Sequence, residues 1–209
     1  VDLDTSVKSI QGIANLAAVS GSTSQQASTA MYQLSQALAT GTVKLMDWNS
    51  VVNAGMGGKV FQDALIRTAA MLEGSAQNVD AWKKKNIDAF GSFRDSLTQG
   101  EWLTSEVLTK TLEQFTMAAE EGTEEWNKFK ESLMDNGYTE EQAESILKMA
   151  NNATDAATKV KTFTQLFDTL KETAQSGWAQ TWELIFGDFE EAKEFFSGLS
   201  SMLGGLIDS

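Results

Sequence analysis

Pairs of adjacent glutamates are the first residues of this sequence whose type and spacing suggest chemistry. There are four such pairs, Glu120-Glu121, Glu124-Glu125, Glu140-Glu141 and Glu190-Glu191. A hydrolase could use two carboxylates on opposing walls of a cleft as general acid and general base. Neighbouring residues on a helix point about 100° apart, however, and the helix macrodipole favours acidic residues at helix starts. We therefore interpret the pairs as solvated helix starts and expect no catalytic residues and no enzyme.

Other common site chemistries lack their residues. The chain has no histidine and no cysteine, which excludes imidazole ligands, thiolate ligands and disulfides. The stretch Gly55-x-Gly57-Gly58 lacks the spacing and the Lys-Ser/Thr pair of a phosphate-binding loop. The one basic run, Lys83-Lys84-Lys85, is too short to neutralise a nucleic-acid backbone. We expect no metal, no cofactor and no direct binding of nucleic acid.

Aromatic side chains between residues 176 and 196 are the strongest candidates for a binding surface. They are spaced by four, four and three residues in the first four members, which places those rings on one face of a helix. Such a face must be buried against the rest of the chain or against a partner. Both interpretations stay open, with the core favoured. The candidate core or partner-binding residues are Trp178, Trp182, Phe186, Phe189, Phe195 and Phe196.

The C-terminal apolar run from Phe195-Phe196 to Leu206-Ile207 predicts a last amphipathic helix. A packing partner beyond Ser209 would cover it, and a membrane-penetrating segment in contact with a membrane is the alternative. Self-association of the chain also stays open. No stretch reaches the 18 apolar residues of a spanning helix. Because the chain starts at Val1 rather than Met, we expect it to be a fragment of a longer protein.

Several stretches resemble the tape measure proteins of long-tailed bacteriophages. They are Gly177–Trp182 followed by Phe186–Lys193, and upstream Gln33–Gly41, Phe61–Leu65 and Ser96–Thr104. The matches extend over nearly the whole chain and follow the family's order. The resemblance implies a structural protein of the virion, in the phage tail lumen or tail tip and in the host cytoplasm during assembly. In this family the extended part sets tail length, and the protein leaves the tube ahead of the DNA at ejection. Implied partners are the tail tube, tail tip and tail assembly chaperone proteins.

The spacing of the glycines along the chain predicts an all-α fold of short helical hairpins. The chain has no proline, so long helices are favoured, but glycine stops recur roughly every 15 to 20 residues. These stops forbid the sustained heptads of a rod-like ruler. We therefore expect a compact array of about 9–11 helices separated by glycine turns, a globular part of such a protein. A helical interaction module unrelated to phage is the alternative.

Capping residues predict where individual helices begin. Thr23 with Gln26 and Thr139 with Gln142 have the spacing of a capping box. Asp47 and Thr104 are further candidate caps, the second for a helix that runs to Glu121. A single helix is expected over 86–97, and another from about Thr154 to Thr173.

Charge divides the chain into two predicted subdomains of one helical array. Residues 1–100 contain eight basic and eight acidic residues, whereas residues 101–209 contain eight basic and 21 acidic residues, 8 − 21 = −13. The second half would repel phosphate backbones and anionic surfaces. We expect this property to suit a chain that must not adhere to the DNA following it.

Overall fold

The computed structural model describes residues 3–159 except 24–25, 28–29, 31–32, 35–36 and 38–40. Within these ranges the chain is helical, without strands, and the prediction of an all-α fold is confirmed. The α-helices are α1 Leu3–Val19, α2 Leu45–Asn53, α3 Lys59–Leu72, α4 Val79–Asn86, α5 Phe93–Gln99, α6 Ser105–Gln114, α7 Glu124–Asp135 and α8 Glu140–Thr158. Residues 26, 27, 30, 33, 34 and 37 are also helical, and two short 3₁₀ helices span Ala76–Asn78 and Asp88–Phe90.

Helix α1 lies at the centre of the described fold. It packs against both α6 and α8, while α3 packs against α6 and α7 packs against α8. Ile13, Leu16 and Ala17 are buried at the helical spacing that the sequence predicts. Asn15, between them, donates from Nδ2 to the Phe115 carbonyl at 2.9 Å and to Thr154 Oγ1 at 3.3 Å. The N-terminal helix therefore joins α8 to the C-terminal end of α6.

Six aromatic rings form a continuous series through the main core. Neighbouring ring centroids are 4.6–6.3 Å apart, and three of the five contacts are edge-to-face, the spacing and geometry that aromatic pairs prefer. The order in space is Trp82, Trp102, Phe93, Trp48, Phe61 and Phe115. We call this set the aromatic series. It connects α4, α5, α2, α3 and the end of α6.

A short backbone pairing joins two of the glycine turns. Thr42 and Thr104 form an isolated antiparallel bridge. The Val43 N–H donates to the Leu103 carbonyl at 2.9 Å, and the Ser105 N–H donates to the Gly41 carbonyl at 2.8 Å. The turn that contains Gly41 thus pairs with the turn that follows Gly100. The main core contains residues from both sides of residue 100, from Ile13 to Ala153.

Most helix boundaries follow the predicted signals. The turns after α1, α3 and α7 contain Gly21, Gly74 and Gly137, each with positive φ, as expected of a glycine after a helix. The Thr139–Gln142 capping box that opens α8 has both of its hydrogen bonds, at 3.0 and 3.2 Å. The Thr23–Gln26 box also has both, at 2.9 and 3.1 Å. Thr104 Oγ1 accepts from the Val107 N–H, confirming that residue as the cap of α6.

Helix α6 is shorter than the sequence predicts. It ends at Gln114 instead of Glu121. The Phe115 carbonyl accepts a hydrogen bond from Asn15 Nδ2. The Asn151 side chain accepts from the Ala119 N–H and donates to the Ala119 carbonyl, each at 2.9 Å. Because side chains distant in sequence form hydrogen bonds with these backbone groups, the groups do not need the hydrogen bonds of a continued helix.

Three other expectations are wrong in detail. The helix expected over 86–97 is divided, because Gly91 has φ +103° and Ser92 caps a new helix by accepting from the Asp95 N–H. Asp47 does not cap α2 but lies in its first turn, where Oδ2 accepts from the Lys44 N–H at 2.9 Å. Thr154 begins no helix, since it lies inside α8 with its hydroxyl oxygen accepting from Asn15.

Candidate functional site

The aromatic candidates of the sequence lie outside the described residues. This holds for Trp178, Trp182, Phe186, Phe189, Phe195 and Phe196, for the pair Glu190-Glu191 and for the C-terminal apolar run. Whether the aromatic face is core or interface therefore stays a prediction. In the described part of the chain, no helix is long and apolar enough to cross a membrane.

The remaining charged motifs lie apart on the surface. All six glutamates of the other three pairs are exposed, and two of the pairs occupy the first turns of α7 and α8, as predicted. The three lysines of the basic run are exposed in the last turn of α4, where cations interact favourably with the helix dipole. Among the described residues, no cluster of acidic side chains could hold a metal ion.

The fold instead brings together a buried polar cluster that is not among the candidate residues predicted from the sequence. Thr68 on α3, Gln114 at the end of α6 and Tyr138 before α8 are 0%, 3% and 4% exposed. Gln114 Nε2 donates to the Tyr138 hydroxyl oxygen at 2.6 Å and to Thr68 Oγ1 at 3.1 Å. Thr68 Oγ1 in turn donates to the Ala64 carbonyl at 2.8 Å. These side chains connect three segments that are distant in sequence.

A small cavity of about 80 Å³ adjoins this cluster. It lies where α3 and α6 meet the turn between α7 and α8, and both polar and apolar side chains surround it. Its lining is Met71, Lys110, Glu113, Gln114, Met117, Leu133, Asn136 and Tyr138. Within the described part of the chain, the Gln114 Oε1 atom is buried without a hydrogen-bond partner, which is costly for an amide oxygen. The described residues therefore satisfy the hydrogen-bonding groups of this cluster only in part.

Arg67, beside Thr68 on α3, extends the polar cluster with a charge. The residue is partly buried, and its Nε atom is fully buried with no acceptor among the described residues. Burial lowers the pKa of the guanidinium, and Tyr138 and Asp63 oppose that shift. Burial likewise raises the pKa of the Tyr138 phenol, against the lowering effect of its hydrogen bonds with Thr68 and Gln114. Both shifts have the sign expected when a low-dielectric environment disfavours the ionised form.

The sequence did contain a signal for this cluster. Thr68 interrupts the apolar stripe of Phe61, Leu65 and Leu72, and Gln114 follows Leu112 on a largely apolar face. A polar residue at a position that periodicity assigns to the core must find a partner in the fold. Which partner it finds depends on tertiary packing, so the pattern predicts the existence of such a cluster but not its membership.

A second group of polar side chains, which lies at the surface, links α7 to α8. Lys130 Nζ lies 2.7 Å from Glu140 Oε1 and 2.9 Å from Glu144 Oε1. The same ammonium lies 5.2 Å from the Trp126 ring centroid, within cation–π range. The hydrogen bonds that Lys130 donates to Glu140 and Glu144 raise the pKa of Lys130, and the bond that Glu140 accepts from Lys130 lowers the pKa of Glu140. Ion pairs at such exposure contribute little stability individually, so we assign them a role in orienting α7.

The chain matches none of the protein-family models, curated proteins or solved structures with which it was compared. We therefore base its function on the contacts described above and on the sequence resemblance.

Proposed function

We propose that this chain is a non-enzymatic structural part of a phage tail, a globular region of a tape measure protein. The parent protein acts in tail assembly and length determination and leaves the tube ahead of the DNA at ejection. It belongs to the virion tail lumen or tip, and to the host cytoplasm while the tail is built. Tail tube, tail tip and assembly chaperone proteins are its proposed partners.

One observation carries this proposal: three of the stretches that resemble the family meet in a single core. Phe61, from the second stretch, belongs to the aromatic series, and Leu34 and Leu97, from the first and third, are buried in the same main core. The Gly41 carbonyl and the Thr104 cap lie at the backbone bridge between the first and third stretches. Segments that are separate in sequence therefore act as one structural unit, which supports a common origin for their resemblance.

The same contacts favour a globular role over a ruler. The six rings of the aromatic series are in successive contact, and α1 packs against both α6 and α8. A segment that measured length by extension would have to give up this core. We therefore assign length determination to other parts of the parent protein, and folding, docking or release to this one.

An in-frame deletion of these residues from the parent gene tests the proposal, with tail length read by negative-stain microscopy. We expect tails of normal length that fail to infect, or no tails at all. If the segment were an extended helical ruler, removing 209 residues would shorten the tail by about 310 Å. That result would retain the family assignment and overturn the globular role. Normal, infectious virions, or a parent gene outside any tail-assembly cluster, would favour a helical module unrelated to phage.

A point variant makes the same test without removing the chain. Trp102→Ala should break the aromatic series between Trp82 and Phe93 and reduce infectivity by destabilising the core. Lys84→Ala, at an exposed position, is the matched control and should leave infectivity unchanged. Equal titres for both variants would show that this core is dispensable to the phage.

A further inference from the structure

We propose that Asn136 is a site of spontaneous deamidation, and that the product loosens the turn that carries Tyr138 into the buried polar cluster. Asparagine is a thermolabile residue. Its side-chain amide reacts fastest when a glycine follows, because a glycine has no side chain to hinder the attack of its own nitrogen. The chain has nine asparagines, and Asn136 is the one that precedes a glycine. This inference does not depend on the proposed phage function.

The backbone around Asn136 places the reacting groups at the surface. Asn136 is the C-cap residue of α7, and Gly137 follows with φ +118°. Both residues are exposed. The other eight asparagines lie within α-helices or, for Asn78, at the end of a 3₁₀ helix, where the hydrogen bonds of the helix restrain the backbone on both sides of the side chain. Sequence and backbone therefore point to the same residue.

The reaction converts the amide to an acid without oxidation or reduction. A hydroxide ion removes the proton of the Gly137 N–H, and this nitrogen forms a bond to Asn136 Cγ. The bond from Cγ to Nδ2 breaks, and Nδ2 takes up a proton and leaves as ammonia. Water then opens the resulting succinimide ring. Hydrolysis at Cγ gives aspartate, whereas hydrolysis at the backbone carbonyl carbon of residue 136 gives isoaspartate, in which the main chain runs through the side chain.

One hydrogen bond of the native turn must open before this attack. The Gly137 N–H donates to the Met134 carbonyl at 3.1 Å. Leu133 is the one buried residue of α7, so the last turn of this helix can unwind locally without opening the main core. The opening of this turn therefore limits the rate of deamidation in the folded chain, which is lower than the rate in the unfolded chain.

The product acts on Tyr138, two residues further along the chain. The Tyr138 N–H donates to the Leu133 carbonyl at 3.2 Å, and the buried Tyr138 hydroxyl accepts from Gln114. Isoaspartate lengthens the main chain between Leu133 and Tyr138 by one carbon atom, so the backbone bond and the side-chain bond no longer fit the same turn. Both products also place a negative charge at the C-terminal end of α7, where the helix dipole disfavours it.

Peptide mapping of the full chain after incubation at mildly alkaline pH tests the site. Digestion with trypsin places Asn136 alone in peptide 131–148 and places Asn49 and Asn53 in peptide 45–59, the internal control. The deamidated fraction of the first peptide should exceed that of the second several-fold, with isoaspartate as the larger product. Incubation of the chain in urea should increase the rate further, because the turn is then open.

Two results would overturn the assignment of the site. One is an equal deamidated fraction in the two peptides of the folded chain. The other is no conversion of Asn136 in the folded chain during an incubation that converts the urea-unfolded chain. Asn136→Gln is the matched variant, because glutamine keeps the amide but needs a larger ring for the same attack. It should remove the modification from peptide 131–148.

Thermal unfolding tests the effect on the turn. Ion exchange isolates the deamidated chain by its additional negative charge, and the Tm of this form should be about 2–8 °C below that of the unmodified chain. Asn136→Asp carries the charge with a main chain of normal length, so its Tm should lie between the two. A deamidated form as stable as Asn136→Asp would overturn the effect on Tyr138, because the longer main chain would then cost nothing.

Discussion

Gly12 on α1 lies so close to Leu112 on α6 that a Cβ at residue 12 would be 2.0 Å from the Leu112 carbonyl oxygen. Real Cβ atoms do not approach a backbone oxygen to this distance, and the backbone has no flexible end that could move aside. Glycine is therefore required here by close approach of two helices rather than by φ. Because residue 12 has no side chain, α1 can pack directly against the backbone of α6 in the middle of the fold.

We predict that Gly12→Ala destabilises the protein by about 1–3 kcal/mol, because overpacking must separate the two helices. The sign of this stability change is informative, since alanine in a helix interior is otherwise favoured over glycine by roughly 1 kcal/mol. Thermal or urea unfolding gives the measurement. Gly58→Ala is the control, because a Cβ there would meet nothing within 4 Å and φ is negative. A stabilised Gly12→Ala variant would contradict the close helix contact.

How much of this fold the sequence predicts depends on how local each signal is. The glycines after α1, α3 and α7, and the caps Thr104 and Thr139, act through bonds to neighbouring residues, and the structure has them where the pattern indicates. The end of α6 could not be predicted, because the groups that replace its helical bonds come from Asn15 and Asn151. Periodicity contains no information about side chains a hundred residues away.

The candidate site shows the same division. The polar residues Thr68 and Gln114 on apolar helix faces indicate that a buried cluster exists. The burial of Arg67 Nε, with no acceptor in the described ranges, depends on tertiary packing, which no sequence spacing reports. The aromatic candidates between residues 176 and 196 stay a sequence prediction.

The Asn151 side chain holds the segment after α6 by two bonds to Ala119, one accepted and one donated. We predict that Asn151→Asp destabilises the protein by about 1–3 kcal/mol, because a carboxylate keeps the accepted bond but faces the Ala119 carbonyl with an acceptor. Hydrogen exchange should show faster exchange at the Ala119 N–H. Asn152→Asp, at the exposed neighbouring position, is the control. Equal unfolding midpoints for the two variants would mean that this clamp contributes nothing.

Removing the Tyr138 hydroxyl should disturb the buried cluster. Tyr138→Phe leaves Gln114 Nε2 with only the longer bond, 3.1 Å, to Thr68 Oγ1. We expect a loss of about 1–2 kcal/mol of unfolding free energy in urea unfolding, close to the contribution of a buried hydrogen bond. Trp126→Phe, which changes a partly buried ring outside this cluster, serves as the comparison for ring changes. A Tyr138→Phe variant as stable as wild type would indicate that Gln114 finds another acceptor.

The acidic surface yields a prediction for the proposed function. Glu120, Glu121 and Glu125 are exposed, so exchanging them for lysine changes charge without disturbing the core. If the acidic half prevents adhesion to the DNA that follows it, the triple lysine variant should slow genome ejection from intact virions. The triple glutamine variant, which removes charge without reversing it, should have a smaller effect. Unchanged ejection kinetics for the lysine variant would eliminate this role of the charge.

Asp47 predicts a pH dependence whose sign can be worked out. Burial raises the pKa of its carboxyl above the ordinary value of 3.8, against the lowering effects of the Lys44 N–H and the Lys44 charge. Because the folded-state pKa lies above that of the unfolded chain, the group's contribution to stability is complete below pH 3.8. It is lost as pH rises through the folded-state pKa.

Asp47→Asn should therefore be more stable than wild type at neutral pH, since an amide oxygen can still accept from the Lys44 N–H and carries no charge to desolvate. The difference in unfolding free energy between this variant and wild type should shrink as pH falls toward 3.8. Urea unfolding from about pH 3 to about pH 7 measures it. Asp47→Ala separates the two effects, because it removes both the charge and the hydrogen bond and should show the same pH-dependent gain offset by a constant loss. A gain of Asp47→Asn that grows as pH falls would reverse the sign and contradict burial as the cause of the raised pKa.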